Sequence, residues 1–137
     1  MDAKLKHLEF IQNVITRMGS NSFLLKGWTV TLIVALFAFA NTQDMETEYS
    51  LLALAPTIFF WLLDGFYLHQ EKLYRKLYEH VSTTSPTAID FSMNATVFKN
   101  RVPHWFKVCV SHTLLLFYGP TLVIVILASL VLPCLNF

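Results

Sequence analysis

The chain has 137 residues, one domain at most. It is 55% hydrophobic and 14% charged, against about 25% charged in soluble domains, a deficit that suits burial in lipid and excludes a soluble enzyme. The formal net charge of +1 argues against bulk attraction to nucleic acid, so no nucleic-acid partner is expected.

Residues 1–19 read as an amphipathic cytoplasmic helix. Leu5, Leu8, Ile11, Ile15 and Met18 recur at spacings of three and four, with Lys4, Glu9, Gln12, Asn13 and Arg17 on much of the remaining surface. Such a helix packs on its own protein or lies in the lipid headgroups. It has no continuous apolar core of the signal-peptide kind, so the first span is expected to act as its own insertion signal. Gly19-Ser20-Asn21-Ser22 is expected to break this helix and cap the next.

The first span covers residues 23–40, about 27 Å of helix, just enough to cross hydrocarbon. Lys26 lies near its inner end and can snorkel. The link Asn41–Ser50 holds Asp44, Glu46 and Glu48 without a base and reads as an outside turn. The second span covers residues 51–68, with Pro56 in its second turn, where a missing donor does little harm. Helical composition continues through residues 69–81, where Glu71 and Arg75 stand four apart with the acid first. A helix from Leu51 to Val81 is about 46 Å long, so its last turns project beyond the bilayer as a stalk.

Ser82–Pro86 is a breaker cluster, and residues 82–107 form a mixed cytoplasmic segment with short apolar elements near Ile89–Phe91 and Val97–Phe98. His104-Trp105-Phe106-Lys107 reads as an interface anchor. The third span covers residues 110–132, and Gly119-Pro120 near its middle is expected to kink it. Residues 133–137 make an outside stub.

The charges orient this map. The bases are Lys4, Lys6, Arg17, Lys26, Lys72, Arg75, Lys76, Lys99, Arg101 and Lys107; none lies in Asn41–Ser50 or after Lys107. Basic residues stay on the cytoplasmic side. The expected topology is an all-α, three-span membrane protein with its N-terminus in the cytoplasm and its C-terminus outside.

Asp64 is the most informative side chain, because an ionisable group at membrane depth is costly and usually finds a partner. Antiparallel spans bring Lys26 to the same depth, so the two are expected to pair and set helix register. The alternatives are a gate or ion-coordinating ring of Asp64 side chains from several copies, and an interface position with no partner. Gly27, Thr31, Ala35 and Ala38 form a small-residue stripe suited to close helix packing, within the chain or between copies. Ser22, Lys26 and Thr29 form a polar stripe that lines a vestibule or simply caps and snorkels. Along the stalk, Tyr67, Tyr74 and Tyr78 run beside Leu73 and Leu77. That apolar surface calls for cover from the first helix and residues 82–107, or from the stalk of another copy.

No catalytic residue, cofactor or metal site is expected. Arg75 and His80 match an Arg-x4-His spacing of some ribonuclease sites, but residues five apart on a helix point about 140° from one another. The five histidines lack paired metal spacing with a third ligand. Asn94-Ala-Thr96 is a glycosylation sequon on the wrong side of the membrane. Cys109 and Cys134 bracket the third span, so a disulfide between them is geometrically excluded.

Glu9-Phe-Ile-Gln-Asn-Val-Ile-Thr-Arg-Met18 and Asn21-Ser-Phe-Leu-Leu-Lys-Gly-Trp28 resemble the start of small bacterial RipA-family membrane proteins. So do Phe60-Trp-Leu-Leu-Asp-Gly-Phe-Tyr-Leu-His-Gln-Glu-Lys-Leu-Tyr-Arg-Lys-Leu-Tyr78 and Asp90-Phe-Ser-Met93. The resemblance covers most of residues 8–120, with Trp61–Tyr78 its most specific part. It implies a helical inner-membrane protein that assembles into rings of about eight copies, and it supplies no catalytic residues. The leading functional expectation is a pore-like or membrane-perturbing homo-oligomer serving bacterial stress or phage defence. The alternative is a non-conducting scaffold whose cytoplasmic collar docks a partner protein.

Overall fold

The computed structural model describes residues 2–40 and 52–135. The acidic link 41–50, expected to be an outside turn, lies outside the described residues. The described chain is all-helical: α1 (Asp2–Ala40), α2 (Leu54–Thr83), a 3-10 helix (Ala95–Arg101), α3 (Trp105–Cys109) and α4 (His112–Leu135). Among the described residues two helices are long and apolar enough to cross a membrane, α1 over Asp2–Phe39 and α4 over His112–Val131.

The expected break at Gly19–Ser22 does not occur: α1 runs through it as one helix of 39 residues, about 58 Å long. Glycine costs about 1 kcal/mol in a helix interior and serine or asparagine less. Packing on both sides outweighs that local penalty. Ile11 and Ile15 are buried before the weak stretch, and Thr29 and Ile33 after it.

α2 has 30 residues and ends where the breaker cluster begins, with Thr84 extended and its N–H bonded to the Val81 carbonyl. Lys4 caps that end from α1, donating to the carbonyls of Ser82 (3.1 Å) and Thr84 (2.9 Å), where a cation also complements the helix dipole. Residues 85–94 carry no helix, and the Asn94 side chain then caps the 3-10 helix by accepting from the Thr96 N–H. The third apolar run is split: α3 stops at Cys109, and α4 begins only at His112. α4 continues unbroken through Gly119 and Pro120, so the expected kink does not interrupt the helix. Proline still removes the donor for the Leu116 carbonyl. The next residue, Thr121, donates its Oγ1 to the Phe117 carbonyl at 2.6 Å.

Two apolar cores lie at opposite ends of the α1–α2 pair. The stalk-end core comprises Ile11, Ile15, Leu73, Leu77, Val81, Ala95 and Phe98, flanked by Tyr74, Tyr78 and Ile89 among others. The first turns of α1, the stalk and the 3-10 helix therefore cover one another. The far core gathers Ile33, Ala53 and Val125, flanked by Leu36, Phe37 and Leu54. A polar cluster lies between the two.

Candidate functional site

Three helices contribute to the polar cluster. Ser22 and Lys26, one turn apart on α1, face Asp64 on α2 and Tyr118 on α4. Asp64 is fully buried. The Ser22 hydroxyl donates to Asp64 Oδ1. Lys26 Nζ donates to Asp64 Oδ2 at 2.6 Å and to Ser22 Oγ at 2.9 Å. The Tyr118 hydroxyl donates to the same Oδ2 at 2.9 Å and lies 3.4 Å from the Phe60 carbonyl. Three donors thus satisfy both carboxylate oxygens, the condition under which a buried charge is tolerated.

Aromatic rings shield the pair. Lys26 Nζ stands 5.8 Å from the Phe117 ring centroid and 5.9 Å from that of Tyr118, close enough for cation–π attraction. Trp61 stacks on Tyr118 with centroids 5.7 Å apart and planes 4° from parallel. The Trp61 indole N–H donates to the Cys109 carbonyl at 2.8 Å, and that of Trp105 to the Leu62 carbonyl at 3.3 Å. Two tryptophans therefore tie the α3 turn to α2. Gly65 permits this approach, because a Cβ there would collide with Cys109 Sγ. Cys109 and Cys134 are free thiols. Burial, then the Asp64 charge, pushes the Cys109 thiol up.

The structure thus joins Lys26 with Asp64 within a single chain, a different arrangement from a ring of carboxylates facing a shared axis. Ser22 and Thr29 turn inward as well; Thr29 Oγ1 donates to the Leu25 carbonyl at 2.7 Å, and neither side chain lines an open vestibule. Gly27, Thr31, Ala35 and Ala38 go the other way. All four are exposed, and a Cβ built on Gly27 meets no atom within 4 Å. Among the described residues, α2 and α4 lie on the opposite face of α1.

Leu73 and Leu77 belong to the stalk-end core, with Tyr74 and Tyr78 packed against it. Tyr67 instead meets Phe66 edge-on, centroids 5.7 Å apart. Arg75 pairs with Glu71 at 2.8 Å on the stalk surface. Sequence reasoning missed Tyr118, Trp61 and the Ser22–Asp64 bond. The single tyrosine of the apolar 114–132 run is the signal that could have found the first. No group of three or more histidine, cysteine or acidic side chains suited to a metal ion occurs among the described residues.

No family model, curated protein or solved structure matches this chain. What the site can do is therefore read from its own geometry. A carboxylate saturated by three donors and enclosed by rings has no room for a substrate. Its bonds tie α1, α2 and α4 to one another.

Proposed function

We propose that the chain is a three-span protein of the bacterial inner membrane that assembles into a homo-oligomeric ring and perturbs the bilayer. The assembly is pore-like in outline, with lipid rather than water against its inner face. The amino terminus is cytoplasmic and the carboxyl terminus periplasmic, the orientation that keeps all ten bases on one side. α1 and α4 supply two spans by length and apolarity. Residues 54–68 of α2 supply the third: their one charge is neutralised internally, and Ile58, Phe59, Leu62 and Phe66 face outward.

The observation that carries this reading is the outward face of α1, where Gly27, Thr31, Ala35 and Ala38 are all exposed. Small residues at spacings of four and three let a second helix approach closely in lipid, and no helix among the described residues takes that place. The RipA-like motifs support the same assembly, with about eight copies. The spans also argue against a water-filled channel. Over residues 23–39, 54–68 and 115–131, Thr31 is the one polar side chain in the exposed class among the described residues. A scaffold whose collar binds a cytoplasmic protein is the second reading, favoured by the separate core at the stalk end.

The test joins size to leakage. Purified protein should run as a discrete oligomer by light scattering and release carboxyfluorescein from liposomes. Gly27→Leu, which has open space in the protomer, should keep helicity while losing both properties. Ion flux without dye release would favour a selective channel, and an oligomer silent in both assays would favour the scaffold.

A further inference from the structure

Apart from the polar cluster, one cavity combines space, charge and an unmet polar atom. It has a volume of about 320 Å³ and is lined by Ala3, Lys6, His7, Phe10, Phe91 and Met93. Its walls are the first turns of α1 and the non-helical strip that precedes the 3-10 helix. That volume lies at the lower end of what small-molecule pockets occupy, roughly 300–1,000 Å³.

His7 is the unusual wall. It is 3% exposed. Its Nε2 lies 3.2 Å from the Ser92 carbonyl, which assigns the proton to Nε2 and leaves Nδ1 an acceptor. Nδ1 is shielded from solvent and has no hydrogen-bond partner. A buried polar atom without a partner costs about 1–3 kcal/mol. Phe91 lies against the imidazole, centroids 5.5 Å apart and planes tilted 49°. Its backbone has a φ of 58°, a left-handed conformation costly for an aromatic residue. Strain in the residue packed against the imidazole suits a cover that moves. Lys6 supplies the charge: its side chain is 65% exposed and Glu9, its one acid among the described residues, stands off at 3.9 Å.

We propose that this cavity binds a small aromatic carboxylate bearing an N–H or O–H donor. The aromatic body packs among Phe10, Phe91 and Met93, where ring–ring and sulfur–ring contacts are favourable. The carboxylate pairs with Lys6, a charge-assisted bond. The donor reaches His7 Nδ1 as the Phe91 ring swings aside. Each part of the ligand answers one feature of the wall, so each can be removed separately.

The test uses the full chain in phosphatidylcholine nanodiscs, with empty discs as the blank, and titration calorimetry of three probes. Indole-3-acetate carries ring, carboxylate and N–H; 1-methylindole-3-acetate lacks the donor; 3-methylindole lacks the carboxylate. Indole-3-acetate should bind the protein beyond the blank, and each of the other two about tenfold more weakly. Lys6→Gln should abolish the preference for the acid, and His7→Phe the preference for the N–H. The N-methyl comparison on the unmodified protein stands even if His7→Phe fails to fold. Heat no greater than that of empty discs overturns the proposal, as does equal affinity for all three probes.

Discussion

Asp64 and Lys26 are unequal partners. Asp64 is fully enclosed, whereas the Lys26 side chain keeps 20% of its surface exposed and has a flexible stem that can carry its charge toward water. Removing the lysine strands a buried carboxylate, whereas removing the acid frees a lysine that can move. Lys26→Met should therefore lower stability by about 3–5 kcal/mol, the range for orphaning a buried ion, and Asp64→Leu by clearly less. The double variant should recover most of the Lys26→Met loss. Denaturant unfolding in a fixed detergent measures all three; equal losses from the two single changes would refute the asymmetry. Histidine gives a second test at this scale. Burial, then the neighbouring His104, holds His69 below its ordinary value of 6.5. On acidification the unfolded chain takes up this proton first. The contribution of His69 is thus present in full above about pH 6.5 and shrinks as pH falls from there toward the lower folded-state value. Unfolding midpoints measured from pH 7.5 to 5.5 should fall, and His69→Asn should flatten the slope.

Among the elements, α1 shows how far a local pattern reaches. The proximity of Lys26 and Asp64 is legible because both are ionisable, both sit in apolar surroundings, and antiparallel helices set their depths. The end of α2 is legible in Ser82–Pro86, where turn chemistry is local. The continuity of α1 is not legible. Gly19, Ser20 and Asn21 are weak helix formers, and nothing local reveals that Ser22 is buried. Tyr118 escapes for a related reason, since its hydroxyl reaches Asp64 only through the placement of a third helix. If α1 is continuous in solution, Gly19→Ala should raise stability by about 1 kcal/mol, because alanine is the better interior residue and its Cβ meets nothing within 4 Å. Thermal unfolding checks this, and a loss of stability would restore the break. At Gly65 the sign reverses. Gly65→Ala should cost about 1–3 kcal/mol through collision with the α3 turn, and Cys109→Ala in the same chain should relieve part of it.

At the scale of the molecule, two apolar cores are held apart by a polar clamp. The stalk-end core draws on α1, α2 and the 3-10 helix, and the far core on α1, α2 and α4. Leu77 is 4% exposed in the first of these. Leu77→Ala should cost about 2–5 kcal/mol by leaving a cavity. Hydrogen exchange should then rise across the stalk and the 3-10 helix, while α4 amides stay protected. Equal loosening of both ends would mean that they unfold as a single unit.

One helix belongs to both ends. With no joint near Gly19, α1 behaves as a lever about 58 Å long. Rocking it by about ten degrees about one tip sweeps the opposite tip through about 10 Å. Whatever tugs on the first turns, near Lys4 and His7, is therefore felt at the far end of α1 with no slack between.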